Sequence, residues 1–373
     1  MMYEDADNNL ENVLLDDVNE MEEATIPDNV NVIVLIDRAR GYDASDGNWK
    51  GAKLFHIAHD ETAKQINSPR LADPDFLGLT SDSVNGEEID MGVSETLSGF
   101  IDFCKKAFPA DHYILHLSDH GDGWKNQLGV SVELPGPVRA TCSDDSSGNS
   151  LSISEDLPNA IEGKGLEAVT LDACSLGTVE VAWALAPHTK YTALSVMTVP
   201  GTGWAYKETL DSWFDHMSAK NWVLTSVEEY KNYYAGQPGV GFTALDLSEM
   251  GEFVDAFDAF VAIMGSAAVE EIVPIRNKTY RPDRLTGMSM RDVTNFVRRV
   301  EAYVGHETVE KVLSSYEKTI LYYWYTSSLT KLKGLTIYAP GPGLLQGGPY
   351  MKAYDNTPFA KDTSWDEFVL SLL

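Results

Sequence analysis

The sequence predicts an α/β fold, a mainly parallel sheet flanked by helices, with a mostly helical subdomain at the C-terminal end. Three observations lead there. Through the first half, short apolar runs alternate with segments of helical period, the order that gives parallel strands joined by crossover helices. The runs at 31–36 (NVIVLI) and 168–171 (AVTL) are almost unbroken by polar residues, as strands covered on both faces require. After residue 247 the pattern is mostly helical to about 324, and one late strand stands out at 334–338 (GLTIY). A chain of 373 residues with 43% hydrophobic side chains can bury one large core with an appendage. The expected division is a sheet domain over 1–247 and a helical subdomain over 248–373.

The elements follow in order. Residues 1–3 (MMY) read as the end of a first strand whose beginning is cut away. Asp7 and Asn8 precede an apolar stripe, Leu10, Leu14, Val18 and Met21, at helical spacing. After the strand at 31–36, residues 96–108 read as a helix and 113–117 as a strand ending at Asp119-His120-Gly121. Gly, Pro, Ser and Asp dominate from Trp124 to Gly148, which predicts a long surface loop over 124–148. A helix near 154–162, a strand at 168–171 ending in Asp172-Ala173-Cys174, a helix at 179–185 and a strand at 191–195 complete the alternation. A further strand at 241–247 (GFTALDL) leaves Ser248 to cap the helix after it.

Charge and cysteine content narrow the function. Lys and Arg number 28 against 57 Asp and Glu, a net charge of −29. Nucleic acids and anionic lipid surfaces are recognised by clustered cations, so both are disfavoured as partners, whereas a cationic substrate would be drawn in. No run of about 18 apolar residues is present to span a bilayer. Three cysteines, Cys104, Cys142 and Cys174, are too few for a disulfide-stapled scaffold and leave at least one free thiol.

Two strand ends concentrate reactive side chains, 118–121 (SDHG) and 171–174 (LDAC). Ligands of open parallel sheets bind beyond the carboxyl ends of the strands, where His120 and Cys174 can meet. A thiolate is a strong nucleophile, and an imidazole moves the proton that turnover requires. Either residue alone would more often be a packed thiol or a surface histidine. Strand-end placement, the His-Gly step and a separation of 54 residues, near the roughly 50 seen in caspases, favour a catalytic pair. Gly121 has no side chain to keep its N–H from a substrate carbonyl, and with the N–H of Cys174 it makes a candidate oxyanion hole. Side chains 172 and 174 share a strand parity; the residue two before the Cys shapes, in caspases, the pocket for the residue before the cut, and by that resemblance the Asp172 carboxylate would favour Arg or Lys there, its alternative being a turn or capping Asp. His112, His116 and His120 recur every four residues, but on a strand such neighbours lie about 13 Å apart, too far to share a metal. Asp5, Asp7 and Asn9 begin like an EF-hand loop that Leu10 spoils. Asp144-Asp145-Ser146 offers oxygens either to calcium or to water.

Taken in order, these residues carry a family resemblance. The segments 3–11 (YEDADNNLE), 32–38 (VIVLIDR), His120-Gly121, 139–146 (RATCSDDS), 171–174 with Gly177, 201–206 (GTGWAY) and 334–340 (GLTIYAP) fall in the expected sequence. The chain resembles the clostripain family of cysteine peptidases, relatives of caspases, legumains and gingipains, over nearly its whole length. The resemblance implies a caspase-like sheet and an endopeptidase that cuts peptides and proteins after Arg or Lys. It places the dyad on His120 and Cys174, and the acid at the base of the specificity pocket on Asp172. It also implies self-cleavage in the loop between them, with Arg139-Ala140 the expected bond and Lys125 the weaker candidate. A secreted or cell-surface bacterial protein is implied, with no cofactor required for the chemistry and with calcium a stimulant in some members; the sequence leaves the oligomeric state open, with a monomer favoured. Thr202 stands where the family often has Asp, so a second pocket acid is missing and Asp172 carries more of the basic preference. Asp5 and Asp7, at the end of the first strand, are expected near the same pocket. The reading from another class is a catalytically inactive acidic protein on the same scaffold, binding a cationic partner or calcium.

Overall fold

The computed structural model describes residues 1–81, 83–124, 141–214, 217–265, 269–282, 289–340 and 353–372. Its strands are β1 (Met2–Ala6), β2 (Ile33–Arg38), β3 (Gly51–His56), β4 (Arg70–Leu71), β5 (Ile114–Ser118), β6 (Thr141–Ser143), β7 (Ser150–Leu151), β8 (Ala168–Asp172), β9 (Tyr191–Leu194), β10 (Gly241–Asp246), β11 (Met290–Asp292), β12 (Ile320–Tyr325) and β13 (Thr336–Tyr338). Nine of them form one sheet in the order β12-β10-β9-β8-β5-β1-β2-β3-β4. The centre, from β9 through β8, β5 and β1 to β2, is parallel. Both margins are antiparallel: β10 and β12 on one side, β3 and β4 on the other.

Alternation along β1 shows how the sheet divides the core. Tyr3 joins the apolar cluster with Leu35, Leu117 and Leu171, which continues to Phe257 and Trp365 near the C-terminus. Its neighbour Met2 joins the other cluster, with Val34, Ile36, Trp204 and Phe242. Helix α1 (Glu11–Glu23) follows β1 directly. The Asn8 side chain accepts from Leu10 N at 2.8 Å to start it, Glu11 sits in its first turn, and Leu14, Leu15, Val18 and Met21 are buried. Helix α2 (Ser94–Ala107) buries Leu97, Phe100, Ile101 and Cys104 and ends on Lys105 and Lys106, cations placed at its negative end. Helices α3 (Asp156–Ile161), α4 (Val179–Leu185), α5 (Tyr206–Asp211), α6 (Ala219–Tyr233) and α7 (Met250–Met264) follow.

Several expectations shift. β1 runs to Ala6 rather than ending at residue 3. Asp246, not Ser248, caps the turn after β10, its carboxylate accepting from Ser248 N; an ionised side chain is the stronger cap there. The segment ILYYWY is the edge strand β12, inside a stretch expected to be helical; its aromatic run favours a half-covered pleat over a helix. β13 pairs with β11 in a separate two-stranded sheet. The expected surface loop over 124–148 has buried shoulders, since Trp124 and Thr141–Ser143 are covered. Lys125, Arg139 and Ala140 lie outside the described residues.

Candidate active site

Three adjacent parallel strands set the site by register. Glu4 of β1 pairs with Ser118 of β5, and Ser118 pairs with Asp172 of β8, so the three side chains stand in one row on one face. Two residues back, His116 lies beside Thr170 and bonds it through Nδ1 at 2.9 Å, while its Nε2 meets the Tyr206 hydroxyl at 3.0 Å. Burial pushes the His116 imidazole down to about 3, so this histidine is neutral and structural.

Beyond the strand ends the chain turns sharply. β8 stops at Asp172, and Ser175 adopts a left-handed φ of 61°. Strand parity therefore does not carry through to Cys174, which sits in the turn. Cys174 and Asp172 are brought to one place instead by the 199–206 segment: Val199 N donates to Cys174 Sγ at 3.3 Å, and Trp204 N to Asp172 Oδ2 at 2.7 Å. Gly121 closes the other side. A Cβ there would lie 2.4 Å from Cys174 O and 2.8 Å from Cys174 N, so the two strand ends touch through backbone that only glycine permits. Among the described residues neither Gly121 N–H nor Cys174 N–H is used in a backbone hydrogen bond. His120 is half-buried, its Nε2 3.0 Å from Asn9 Oδ1.

Burial dominates the Cys174 thiol and lifts it to about 11, against the pull of the Val199 N–H. The resting residue is thus a thiol, not a thiolate held in an ion pair. Cys104, lifted to about 12, and Cys142 are both buried. Iodoacetamide is expected to label Cys174 first, at a rate that climbs about tenfold per pH unit across the neutral range. Mass spectrometry of briefly alkylated protein checks this; a rate flat with pH would mean the thiolate is already formed.

The Asp172 carboxylate is buried beneath this turn. Oδ2 accepts from Trp204 N and from the Tyr206 hydroxyl at 3.0 Å, while Oδ1 has no partner. Gly203, at φ 57°, leaves room beside it: a Cβ would be 2.5 Å from Asp172 Oδ2 and 3.5 Å from Asp17 Oδ2. Thr202 is exposed at the rim, its hydroxyl 2.7 Å from that of Tyr234, which donates to Gly203 O at 2.6 Å.

Glu4 and Asp17 complete an acidic floor that the sequence reading missed. Both are buried, and both carboxyls are pushed well up, first by burial and then by acidic neighbours, Asp172 among them. Against this, only the Ser118 hydroxyl beside it and the more distant N-terminal ammonium pull the Glu4 carboxyl down. A glutamate directly after the apolar residues read as the first strand was the available signal. Asp5 and Asp7, expected at this pocket, are placed elsewhere: Asp5, at an odd position of β1, faces away from Glu4, and Asp7 lies in the turn after the strand. The charges nearest Asp5 are Asp119, Asp144 and Asp37, and Asp7 meets Glu88 and Asp144.

The chain is 30% identical over 231 residues to clostripain of Hathewaya histolytica, a match over 59% of this chain and 42% of that protein. The chain thus spans less than half the length of that relative. Its fold is similar to that of an inactive zymogen C11 protease from Parabacteroides distasonis, with TM-score 0.71, 19% identity and coverage of 97% of this chain and 96% of that one. It is equally similar to a secreted C11 cysteine protease from Bacteroides thetaiotaomicron in complex with an irreversible peptide inhibitor, with TM-score 0.72, 18% identity and 98% of both chains covered. The model of the clostripain family, peptidase family C11, matches residues 2–371, and the chain belongs to that family of cysteine peptidases.

Proposed function

We propose that this protein is a secreted cysteine endopeptidase that cleaves peptide bonds after Arg or Lys. The observation that carries the reading is the buried, half-satisfied Asp172 carboxylate directly before the Cys174 turn. A buried carboxylate lacking a partner is costly, and a guanidinium or ammonium reaching Oδ1 supplies the missing charge-assisted bonds. Glu4 and Asp17 set further carboxyls around that position, and a bound cation would favour their ionised forms, which offsets the Thr202 departure.

The proposed chemistry uses His120, Gly121 and Cys174 in turn. The Cys174 thiol attacks the scissile carbonyl carbon as its proton passes to the His120 imidazole, forming a C–S bond and an oxyanion. The N–H groups of Gly121 and Cys174, neither used in a backbone hydrogen bond among the described residues, are the donors for that oxyanion. The resulting imidazolium gives its proton to the departing amine as the C–N bond breaks, and water then hydrolyses the thioester, returning the thiol. The same reaction applied to this chain's own Arg139-Ala140 bond makes self-cleavage the expected activation step.

Fluorogenic peptides that differ only in Arg, Lys or a neutral residue before the fluorophore test the proposal. Wild type is expected to release fluorophore from the basic pair alone. Cys174→Ala and His120→Ala should each lose about a thousandfold or more in kcat/KM, and Cys174→Ala should run uncut on a gel. Turnover of the neutral peptide at a similar rate, or activity that survives Cys174→Ala, defeats the reading.

A further inference from the structure

His116 lies midway along β5, two residues before the row of Glu4, Ser118 and Asp172. A histidine in a buried strand is costly unless both ring nitrogens are bonded, and here both are. Nδ1 is 2.9 Å from Thr170 Oγ1, and Nε2 is 3.0 Å from the Tyr206 hydroxyl. That hydroxyl in turn donates to Asp172 Oδ2 at 3.0 Å. The other donor to Oδ2 is Trp204 N, at 2.7 Å, and the His116 ring packs edge-on against the Trp204 ring with centroids 4.7 Å apart. One side chain therefore touches both residues that hold the Asp172 carboxylate.

Counting hydrogens gives these bonds a direction. Burial keeps the Tyr206 phenol protonated, so it has a single hydrogen to give, and an ionised carboxylate is its strongest acceptor. With that hydrogen on Asp172, the phenol oxygen can only accept from His116, so the neutral ring must carry its proton on Nε2. Nδ1 is then an acceptor for the Thr170 hydroxyl, whose alternative, Leu115 O, is farther off at 3.4 Å. The donors all point one way, Thr170 to His116 to Tyr206 to Asp172, and each bond polarises the next. The Ser118 hydroxyl stands beside both Glu4 and Tyr206 and can donate to either without reversing that order.

We propose that His116 is a positioning residue for substrate specificity: through Tyr206 and Trp204 it keeps Asp172 Oδ2 occupied, so that Oδ1 is left for the cation of the substrate. This rests on the reading of Asp172 as the acid that binds Arg or Lys. A carboxylate held by fewer partners turns more freely, and it must lose that freedom each time a substrate binds. His116 thus acts on the grip of the basic side chain and not on the reacting atoms, so KM rather than kcat is the quantity it moves.

Two substitutions separate the two ring nitrogens. Glutamine carries its amide out to the place of Nε2, whereas asparagine reaches only that of Nδ1. With an Arg peptide, His116→Asn is expected to raise KM about fivefold at unchanged kcat, the loss of one ordinary hydrogen bond, and His116→Gln should restore most of it. In a Tyr206→Phe background, where the shared hydroxyl is gone, His116→Asn should change KM no further. The proton is located separately, by nitrogen NMR of histidine-labelled Cys174→Ala protein at pH 8, above the value of about 7 to which burial lifts Asp172. The His116 signals are those absent from His116→Gln, and Nε2 should be the protonated nitrogen. A proton on Nδ1, an unchanged KM in His116→Asn, or an equal rise in the Tyr206→Phe background overturns the proposal. Should His116→Asn fail to fold, the protonated nitrogen alone decides. Wild type with no preference for basic peptides would instead sink the reading of Asp172, a result on which the nitrogen signals do not depend.

Discussion

Asp172→Asn is expected to stabilise the uncut protein at pH 8 while removing its preference for basic residues. The two effects share one cause. Burial holds the Asp172 carboxyl up at about 7, although Trp204 N–H and the Tyr206 hydroxyl pull the other way. In the unfolded chain the group titrates near 3.8. Between those values the folded state binds the proton more tightly, so stability falls as pH rises from about 4 to about 7 and stays low above that. A gap of about three pKa units corresponds to about 4 kcal/mol at pH 8. Asparagine keeps an acceptor for Trp204 and Tyr206 but carries no charge, so a few kcal/mol should return. Urea denaturation in the Cys174→Ala background at pH 5 and pH 8 reads this out: the parent is less stable at pH 8, and Asp172→Asn narrows the gap. Glu4 and Asp17, also raised by burial, keep some of the slope. In the active background kcat/KM for Arg and Lys peptides should fall by about a hundred- to a thousandfold, the cost of leaving a buried cation without its partner. A variant that is less stable at pH 8 and still prefers Arg would mean the carboxylate serves the fold and not the substrate.

What the sequence revealed of this site follows from which interactions are local. His120, Gly121, Asp172 and Cys174 sit at the ends of two apolar runs, and a parallel sheet brings such ends together whatever the loops do. β2 and β8 are legible for the same reason, as runs buried on both faces. Glu4 was hidden because its role depends on register: only the pairing of Glu4 with Ser118 and of Ser118 with Asp172 puts its carboxyl in the row. Once β1 is paired, one residue of parity separates Glu4 at the pocket from Asp5 on the opposite face, and a strand judged from 1–3 alone does not fix that parity. Asp17 belongs to the covered side of a helix whose apolar stripe is plain, but which neighbour it meets is decided by Gly203. β12 was missed because a six-residue apolar run inside a long helical stretch is ambiguous by period, and the strand preference of its Tyr and Trp decides only once its partner β10 is known.

Gly121→Ala is expected to cost kcat far more than KM. An alanine methyl at this position would stand 2.4 Å from Cys174 O, 2.8 Å from Cys174 N and 3.0 Å from Ala173 Cβ. Backbone atoms at those distances cannot swing aside like the end of a flexible side chain, so the 119–121 and 172–174 turns must separate. Displacing the nucleophile by about an ångström, or one oxyanion donor with it, costs about a hundred- to a thousandfold. The Asp172 pocket is fixed from a different direction, by Trp204 N and Tyr206, so ground-state binding of a basic side chain should survive largely intact. Some stability is lost as well, about 1–3 kcal/mol for forced overpacking. Gly251→Ala is the control: it lies within α7, nothing stands within 4 Å of its added Cβ, and alanine there should be neutral or stabilising by up to about 1 kcal/mol. If Gly121→Ala instead raised KM and spared kcat, the approach of the two turns would govern substrate seating, and the oxyanion would have to be met by other donors. A fall in kcat at steady KM ties the His-Gly step of the sequence to the transition state itself.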